Sequence, residues 1–294
     1  MRPQVILVAT LLLNATFFVF NLYIAYLSGS RTVLSQAIYT ITDLVGSGLL
    51  LWGLYASRRP ADYQYHFGRG KERFFWAFVS IVVTFTVAGV VALTLGIEQI
   101  SDPRPISHIG DGLAVVGATA LVSSLGIWIT LRELRIGRET LQSLLESANQ
   151  GLKSIFYQDF VSIVGSVVAF VGLVLVDRTQ TWAIDGATAV LQGALLIATG
   201  FVLTAESREY LIGRALSPAE ARKILAIVER DSRVASVRGF QSMLLGPEDA
   251  LLALRVNFQN GLTTDQLEAA IDEVTLALRG EFPILRHIVI EPES

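Results

Sequence analysis

The chain alternates between long apolar blocks and short polar connections over most of its length. Six blocks have roughly the 20 apolar residues that a helix needs to cross the hydrocarbon core of a bilayer. They are Val5–Leu27, Thr32–Ala56, Phe74–Gly96, Gly112–Leu131, Ser154–Val176 and Ile184–Thr204. This pattern predicts a bundle of six transmembrane α-helices within residues 1–212, and therefore an integral membrane protein that resides in a lipid bilayer.

Basic residues gather in alternate connections. The connection after the second block holds Arg58, Arg59, Arg69, Lys71 and Arg73. The connection after the fourth block holds Arg132, Arg135, Arg138 and Lys153. One basic residue lies in each of the other three connections, namely Arg31, Arg104 and Arg178. Because basic residues are enriched on the cytoplasmic side of a membrane, both termini are predicted to be cytoplasmic, in a cell or inner membrane.

The character of the chain changes from about Gly213. Helical periodicity predicts two helices, Pro218–Arg230 and Thr264–Arg279. Apolar alternation predicts three strands, Val234–Leu244, Ala250–Phe258 and Leu285–Ile290. The order αββαβ predicts that residues 213–294 form a small, ferredoxin-like α/β domain in the cytoplasm, with helices packed on one sheet face. Since so small a domain buries little surface by itself, we expect it to self-associate.

The composition agrees with a membrane protein and excludes other classes. Hydrophobic residues make up 52% of the chain and charged residues 17%, whereas a soluble domain carries about 25% charged residues. The net charge of -3 gives no indication of a nucleic-acid partner. The absence of cysteine removes disulfides and thiolate metal ligands. No nucleophile–base constellation or phosphate-binding loop stands out, so an enzyme is not predicted.

Two acidic residues lie near the middle of apolar blocks, Asp43 in the second and Asp159 in the fifth. An ionisable side chain at membrane depth costs about 2.5–3.5 kcal/mol, so such residues are candidates for function. The two acids could form a buried structural pair, or they could line a passage for a cation. A third acid, Asp185, lies at the start of the sixth block, where the helix dipole favours a negative charge.

Helical spacing places hydroxyl side chains near both acids, namely Ser35, Tyr39, Ser47, Ser162 and Ser166. Such groups commonly form hydrogen bonds between helices in membrane bundles. They could equally contribute oxygen ligands to a cation beside the carboxylates. Periodicity alone leaves both interpretations open.

The segment from Thr32 to Arg73 carries a more specific motif. It reads TVLSQAIYTITDLVGSGLLLWGLYASRRPADYQYHFGRGKER. This segment resembles the second helix and the following loop of the cation diffusion facilitator family. In that family an Asp-x-x-x-Asp or His-x-x-x-Asp motif lies on the helix, and Pro-x-Asp and His-Pro-(Phe/Tyr)-Gly lie in the loop. Here Asp43, Asp62, Phe67 and Gly68 stand at matching positions.

The resemblance implies a transport site for a divalent metal, with tetrahedral ligands from the second and fifth helices. Asp43 and Asp159 match one acidic ligand of each helix. The partner four residues earlier, usually Asp or His, is replaced by Tyr39 on the second helix and by Ile155 on the fifth. The resemblance therefore implies a reduced metal site with two carboxylates.

The loop and the soluble domain also depart from the family pattern. Asp62 matches a metal ligand of the loop, but Tyr65 and Arg69 stand where histidines are frequent. Val289 replaces the histidine of the last strand. The chain has three histidines, His66, His108 and His287. A histidine-rich zinc cluster in the soluble domain is therefore not expected.

These residues favour a secondary transporter that exports a divalent cation from the cytoplasm. Oxygen ligands suit Mn²⁺ or Fe²⁺, and carboxylates also bind zinc, the commonest cargo of the family. Because protons and a metal ion would compete for the same carboxylates, proton antiport is expected. No permanently bound cofactor is predicted. The resemblance also implies a homodimer.

An alternative follows from the missing ligands at Tyr39 and Ile155. The chain could be a membrane scaffold or regulator that derives from the family and has lost transport.

Overall fold

The computed structural model describes residues 3–136 and 150–293. Arg138, one of the predicted cytoplasmic basic residues, lies outside these ranges. The chain forms two compact units. As far as they are described, the first comprises Met1–Gly53 and Phe75–Ser207, and the second comprises Leu54–Phe74 and Arg208–Ser294. The loop between the second and third blocks thus belongs to the same unit as the C-terminal residues. The predicted boundary at residue 212 stays a prediction.

Six long helices follow the predicted blocks. They are α1 (Pro3–Ser28), α2 (Arg31–Ser57), α3 (Glu72–Ser101), α4 (Ile109–Ile136), α5 (Gln150–Thr179) and α6 (Ala183–Ile212). Within the described residues, α2 to α6 are long and apolar enough to cross a membrane, which confirms five membrane-type helices. Among the described side chains, the apolar part of α1 is the shorter Phe18–Ser28. The sixth span therefore stays a prediction.

Helices α3 and α6 pack through paired glycines. A Cβ atom at Gly96 would lie 2.6 Å from the carbonyl oxygen of Gly186, and one at Gly193 would lie 2.7 Å from that of Gly89. Neither position has room for a side chain, so the two backbones are in direct contact. Small residues allow this close approach, which gives van der Waals packing that apolar lipid cannot replace.

The N-terminus of α2 is held by Asp185 of α6. The Ser30 hydroxyl donates a hydrogen bond of 2.7 Å to Oδ1 of Asp185, and the Arg31 amide donates one of 2.7 Å to Oδ2. Ser30 in turn accepts a hydrogen bond from the Val33 amide, as a helix cap does. The Asp185 side chain is completely buried. Asp185 is predicted to be favoured by the dipole at the start of its own helix, α6. Its carboxyl group also lies at the positive N-terminal end of α2.

The second unit contains α7 (Pro218–Val228), β1 (Val234–Gly246), β2 (Asp249–Phe258), α8 (Thr264–Glu281) and β3 (Leu285–Pro292). The predicted order αββαβ is confirmed. β1 and β2 are antiparallel, while β2 and β3 are parallel, with β2 in the centre of the sheet. Ser217 and Thr263 begin the two helices with complete capping boxes. The ferredoxin-like topology and self-association stay predictions.

Alternate residues of β2 form the core of this small sheet. Leu252, Leu254 and Val256 are buried, as are Ile224 of α7 and Leu278 of α8. The two helices contact each other, and α7 contacts β1 while α8 contacts β3. Because the buried residues of β2 are two apart, they lie on one face of the sheet. The helices α7 and α8 pack on the sheet, so this apolar face is the one that they cover. This is the two-layer arrangement that the sequence predicts.

Candidate functional site

Asp43 and Asp159 come together inside the first unit. Asp43 lies midway along α2, and its Oδ1 atom is buried. Asp159 lies in the first half of α5, and its carboxyl group interacts electrostatically with that of Asp43. The hydroxyl group of Tyr39, one turn before Asp43, lies within electrostatic range of both carboxyl groups. Two predicted site residues and one hydroxyl group therefore form a single cluster among apolar helices.

Asp159 packs against Gly126 of α4. A Cβ atom at Gly126 would lie 2.8 Å from Cγ of Asp159 and 3.0 Å from its Oδ1. The acid therefore packs against bare backbone of α4. Nearby, the Ser123 hydroxyl donates a hydrogen bond of 2.8 Å to the hydroxyl of Ser162, again between α4 and α5. Sequence reasoning missed Gly126 because nothing in the chain indicates which helix faces Asp159.

An irregular turn of α3 braces α2 next to Asp43. Residues Val82–Val87 form a π-helical segment within α3. The Thr84 hydroxyl in this segment donates a hydrogen bond of 3.1 Å to the carbonyl oxygen of Thr42. Such π-helical turns occur frequently at functional sites, where they redirect side chains. The hydrogen bond fixes α2 at the residue that precedes Asp43.

A small cavity borders the acidic cluster. Tyr39 lines it together with Ser35 and Gln36 of α2, Ser162 of α5 and Gln192 of α6. Its volume is about 20 Å³, which is enough for one water molecule. Within the part of the chain that is described, the buried Nε2 atom of Gln36 has no hydrogen-bond partner. Ser35, Gln36 and Tyr39 all precede Asp43 on α2, so polar side chains extend from Asp43 toward the N-terminus of that helix.

The set of possible metal ligands is small. Across residues 3–136 and 150–293 no group of three or more histidine, aspartate or glutamate side chains lies close enough to hold a metal ion. The side chain of Ile155 is outside those that the structure describes. The cluster offers two carboxylates and the hydroxyl group of Tyr39. Such oxygen ligands bind hard or borderline divalent cations.

Asp62 belongs to the second unit, where it lies in the loop between α2 and α3. Among the described residues it is not part of a group of three possible metal ligands. Its Oδ2 atom accepts a hydrogen bond of 3.0 Å from Arg69, and its Oδ1 accepts bonds of 2.9 Å from the amides of Gln64 and Tyr65. The bond from Arg69 in particular lowers the pKa of Asp62. Arg69 also stacks over the Tyr65 ring at 4.2 Å. A metal ion at Asp62 would therefore compete with Arg69 for the carboxylate.

The loop packs tightly on the sheet of its own unit. A Cβ atom at Gly70 would lie 2.6 Å from the carbonyl oxygen of Leu245 and 3.2 Å from Cα of Gly246. Gly68 adopts φ +74°, a left-handed conformation that favours glycine. The two glycines of the sequence Gly68-Arg69-Gly70 thus serve a turn and a close contact.

The chain is similar to a known domain family and to several known proteins. The family model of the cation efflux transmembrane domain matches residues 7–212. Metal tolerance protein C4 of Arabidopsis thaliana is 24% identical over 256 residues, which cover 85% of this chain and 56% of that protein. The mitochondrial proton-coupled zinc antiporter SLC30A9 of Homo sapiens is 22% identical over 274 residues, covering 88% and 48%. The chain therefore spans about half the length of these two relatives.

A bacterial relative is closer in size. The cation-efflux pump FieF of Klebsiella pneumoniae is 23% identical over 256 residues, which cover 87% of this chain and 81% of the pump. The matched family domain extends over all six long helices, including the two that carry Asp43 and Asp159. The chain belongs to the cation efflux family, the cation diffusion facilitators.

Proposed function

We propose that this chain is a secondary transporter that exports a divalent cation from the cytoplasm in exchange for protons, with Asp43 and Asp159 as its metal ligands. Membership of the cation efflux family supports the class of activity. The observation that carries the proposal is that the buried carboxyl group of Asp43 lies within electrostatic range of the Asp159 carboxyl group, which packs against Gly126 inside the helical unit. Asp62 is a further candidate ligand, at a separate loop position.

The coupling to protons follows from the charge of the cluster. Two carboxylates in an apolar environment repel each other and have lost their hydration. A divalent cation neutralises both charges, and two protons do the same. Because these two ways of neutralising the pair exclude each other, binding of the metal releases protons and protonation releases the metal. This competition supplies the chemistry of an antiporter.

The ligand set favours a cation that accepts oxygen. Carboxylates and a hydroxyl group suit Mn²⁺ and Fe²⁺, and carboxylates also bind Zn²⁺. One relative carries the name of a zinc antiporter and another that of a cation-efflux pump. Zinc, manganese and iron are therefore the cargoes to compare.

The proposal includes an architecture. We place α1 across the membrane as the sixth span, with both termini in the cytoplasm, as the distribution of basic residues favours. We also propose that residues 213–294 form a ferredoxin-like domain that joins two copies of the chain. A small sheet with one face covered by helices leaves its other face for such a partner.

The second candidate function is a membrane scaffold or regulator without transport. The absence of a third acidic or histidine ligand near Asp43 among the described residues favours this alternative. A scaffold would need neither carboxyl group for its activity.

Reconstitution into liposomes tests the proposal. Liposomes that contain the purified protein and have an acidic interior should take up Zn²⁺, Mn²⁺ or Fe²⁺. A pH-sensitive dye inside them should report that protons leave as the metal enters. Asp43→Asn and Asp159→Asn should each abolish uptake, because each removes half of the carboxylate charge. Calorimetric titration in detergent should show that the same variants lose the metal site.

Asp177→Asn is the matched control, since Asp177 is an exposed residue of the same helix as Asp159. It should transport like the natural protein. If the natural protein moves none of the three metals and its melting temperature does not respond to them, the transporter proposal fails and the scaffold is favoured.

A further inference from the structure

A cavity lined by residues of the second unit has no role in the transport proposal. It lies between residues 54–73, which include the end of α2 and the start of α3, and the turn that joins β1 to β2, and its volume is about 480 Å³. Cavities of about 300–1,000 Å³ hold small-molecule ligands in other proteins. This cavity is therefore large enough for the head of an organic ligand.

Positive charge dominates the lining. Five guanidinium groups contribute to it, those of Arg58, Arg59, Arg69, Arg73 and Arg286. Two acids, Glu248 and Asp249, also line the cavity, together with His287. Even with both acids ionised and His287 neutral, the lining retains a net charge of +3, since five positive charges face two negative ones. The cavity therefore attracts anions.

Most of this positive charge is not neutralised by ion pairs. Arg69 forms a salt bridge with Asp62 at 3.0 Å. Asp249 lies 3.6 Å from Nε2 of His287. Within the ranges 3–136 and 150–293, the other four arginines of the lining form no ion pair within 4.0 Å. Glu248 and Asp249 interact electrostatically with Arg73 and Arg286. Two carboxylates do not balance five guanidinium groups, and an anion would offset the remaining positive charge.

The walls of the cavity are firmly built. Gly70 contacts the backbone of Leu245 and Gly246, so loop and sheet meet without intervening side chains. The ring of Phe67 packs edge-on against His287, with centroids 5.0 Å apart. The arginines are therefore supplied by segments that already touch. A ligand would find the site assembled and would lose little affinity to ordering of the loop.

We propose that this cavity binds the phosphate group of an anionic ligand. Guanidinium groups match phosphate oxygens with paired hydrogen bonds, and arginine is preferred over lysine where such geometry matters. A metal cation does not fit, because five guanidinium groups surround only two carboxylates. Arg58 and Arg59 directly follow α2, a helix apolar enough to span a membrane. The phosphate could therefore belong to a lipid headgroup or to a soluble molecule.

Binding measurements on the full-length protein in detergent separate the two sources. Native mass spectrometry with added phosphatidylglycerol, and with phosphatidylcholine for comparison, tests the lipid. Calorimetry with ATP and with inorganic phosphate tests soluble ligands. Saturable binding of either kind supports the proposal and identifies the source. Because guanidinium–phosphate contacts are electrostatic, binding should weaken as the salt concentration rises.

Variants locate the binding. Arg58→Gln combined with Arg286→Gln should weaken binding about a hundredfold, since each charge-assisted contact contributes about 1.5–3 kcal/mol, or roughly tenfold or more. Replacing the same two residues by lysine should restore part of the affinity, because the charge returns without the paired geometry. The matched control is Arg222→Gln with Arg279→Gln, two exposed arginines on α7 and α8 outside the cavity.

The control pair should bind like the natural protein, and the melting temperatures of all variants should agree, which shows that they fold. The proposal is overturned if the natural protein binds neither ATP nor inorganic phosphate and binds phosphatidylglycerol no better than phosphatidylcholine. It is equally overturned if the cavity pair and the control pair lose the same affinity. Neither result depends on which metal the chain transports, or on whether it transports one.

Discussion

Gly126 of α4 lies directly against the carboxyl group of Asp159 of α5, so that a Cβ atom at position 126 would stand 3.0 Å from Oδ1. The position of a proposed metal ligand is thus determined by a residue that has no side chain and no chemistry of its own. Any enlargement at position 126 must displace either the carboxyl group or the helix that carries it. The acidic cluster is consequently sensitive to packing as well as to charge.

Gly126→Ala should impair transport strongly. The added methyl group overlaps the carboxyl group of Asp159, and overpacking of this kind costs about 1–3 kcal/mol. We expect metal uptake in liposomes to fall about tenfold or more, with weaker metal binding in calorimetry, since 1.4 kcal/mol corresponds to a factor of ten.

Gly117→Ala is the control for this change, because Gly117 lies on the same helix and a Cβ atom there would have no neighbour within 4 Å. Alanine is about 1 kcal/mol better than glycine inside a helix, so this control should be neutral or slightly stabilising. Equal uptake by both variants would show that Asp159 has room to move.

Asp185→Ala should destabilise the helical unit. It removes the acceptor for the hydroxyl of Ser30 and the amide of Arg31, both at 2.7 Å, in a completely buried place. Loss of buried hydrogen bonds to a charged group should lower the free energy of unfolding by about 3 kcal/mol. Thermal unfolding in detergent measures the effect, and Asp177→Ala, at an exposed position, should leave the melting temperature unchanged.

Gly70→Ala should loosen the loop from the sheet. The new Cβ atom would lie 2.6 Å from the carbonyl oxygen of Leu245, so one of the two segments has to move. Hydrogen exchange of the turn between β1 and β2 should accelerate, and the variant should lose about 1–3 kcal/mol. Gly280→Ala, at a position in the same unit with no neighbour within 4 Å, should exchange like the natural protein.

The second unit should lose stability in acid through Asp231. Arg233 donates hydrogen bonds to Asp231 at 2.6 Å and to Glu273 of α8 at 2.5 Å. The hydrogen bond from Arg233 lowers the pKa of Asp231 below its ordinary value. A group with a lowered pKa in the folded state contributes stability above the unfolded pKa of about 3.9. That contribution is lost as the pH falls through the folded pKa.

Asp231→Asn should therefore reduce stability at pH 7, while the difference from the natural protein should shrink at pH values below the folded pKa. Urea unfolding of the full-length chain, followed by pulsed hydrogen exchange in β1 and α8, resolves this unit. Glu268→Gln, at an exposed position of α8, should show no such dependence on pH. A constant difference between Asp231→Asn and the natural protein at every pH would contradict the assignment.

Much of the fold could be predicted from the sequence, because its elements have strong periods. The spacing of Leu252, Leu254 and Val256, two residues apart in the sequence, predicts that they are buried on one face of a strand, as they are in the structure. Five membrane-type helices likewise follow from the length of the apolar blocks. These signals are local, and local signals survive folding when tertiary contacts agree with them.

The site could be predicted only in part. Asp43 and Asp159 stand out because charge is costly in apolar blocks, and the family resemblance pairs them. Nothing local indicates that Gly126 faces Asp159, that Asp185 holds the start of α2, or that α3 contains a π-helical segment. Each of these features depends on which helices are neighbours. In lipid, helices select their neighbours by close packing, and the hydropathy of a segment does not predict that packing.

The glycine pairs between α3 and α6 restrict how the chain can change its length. Gly89 and Gly96 are seven residues apart, as are Gly186 and Gly193, so each pair recurs on one side of its helix after two turns. Inserting one residue between Gly89 and Gly96 would rotate the second glycine by about 100°. A bulky neighbour would then face α6. Insertions and deletions should therefore be tolerated outside the paired intervals and excluded within them, unless both helices change together.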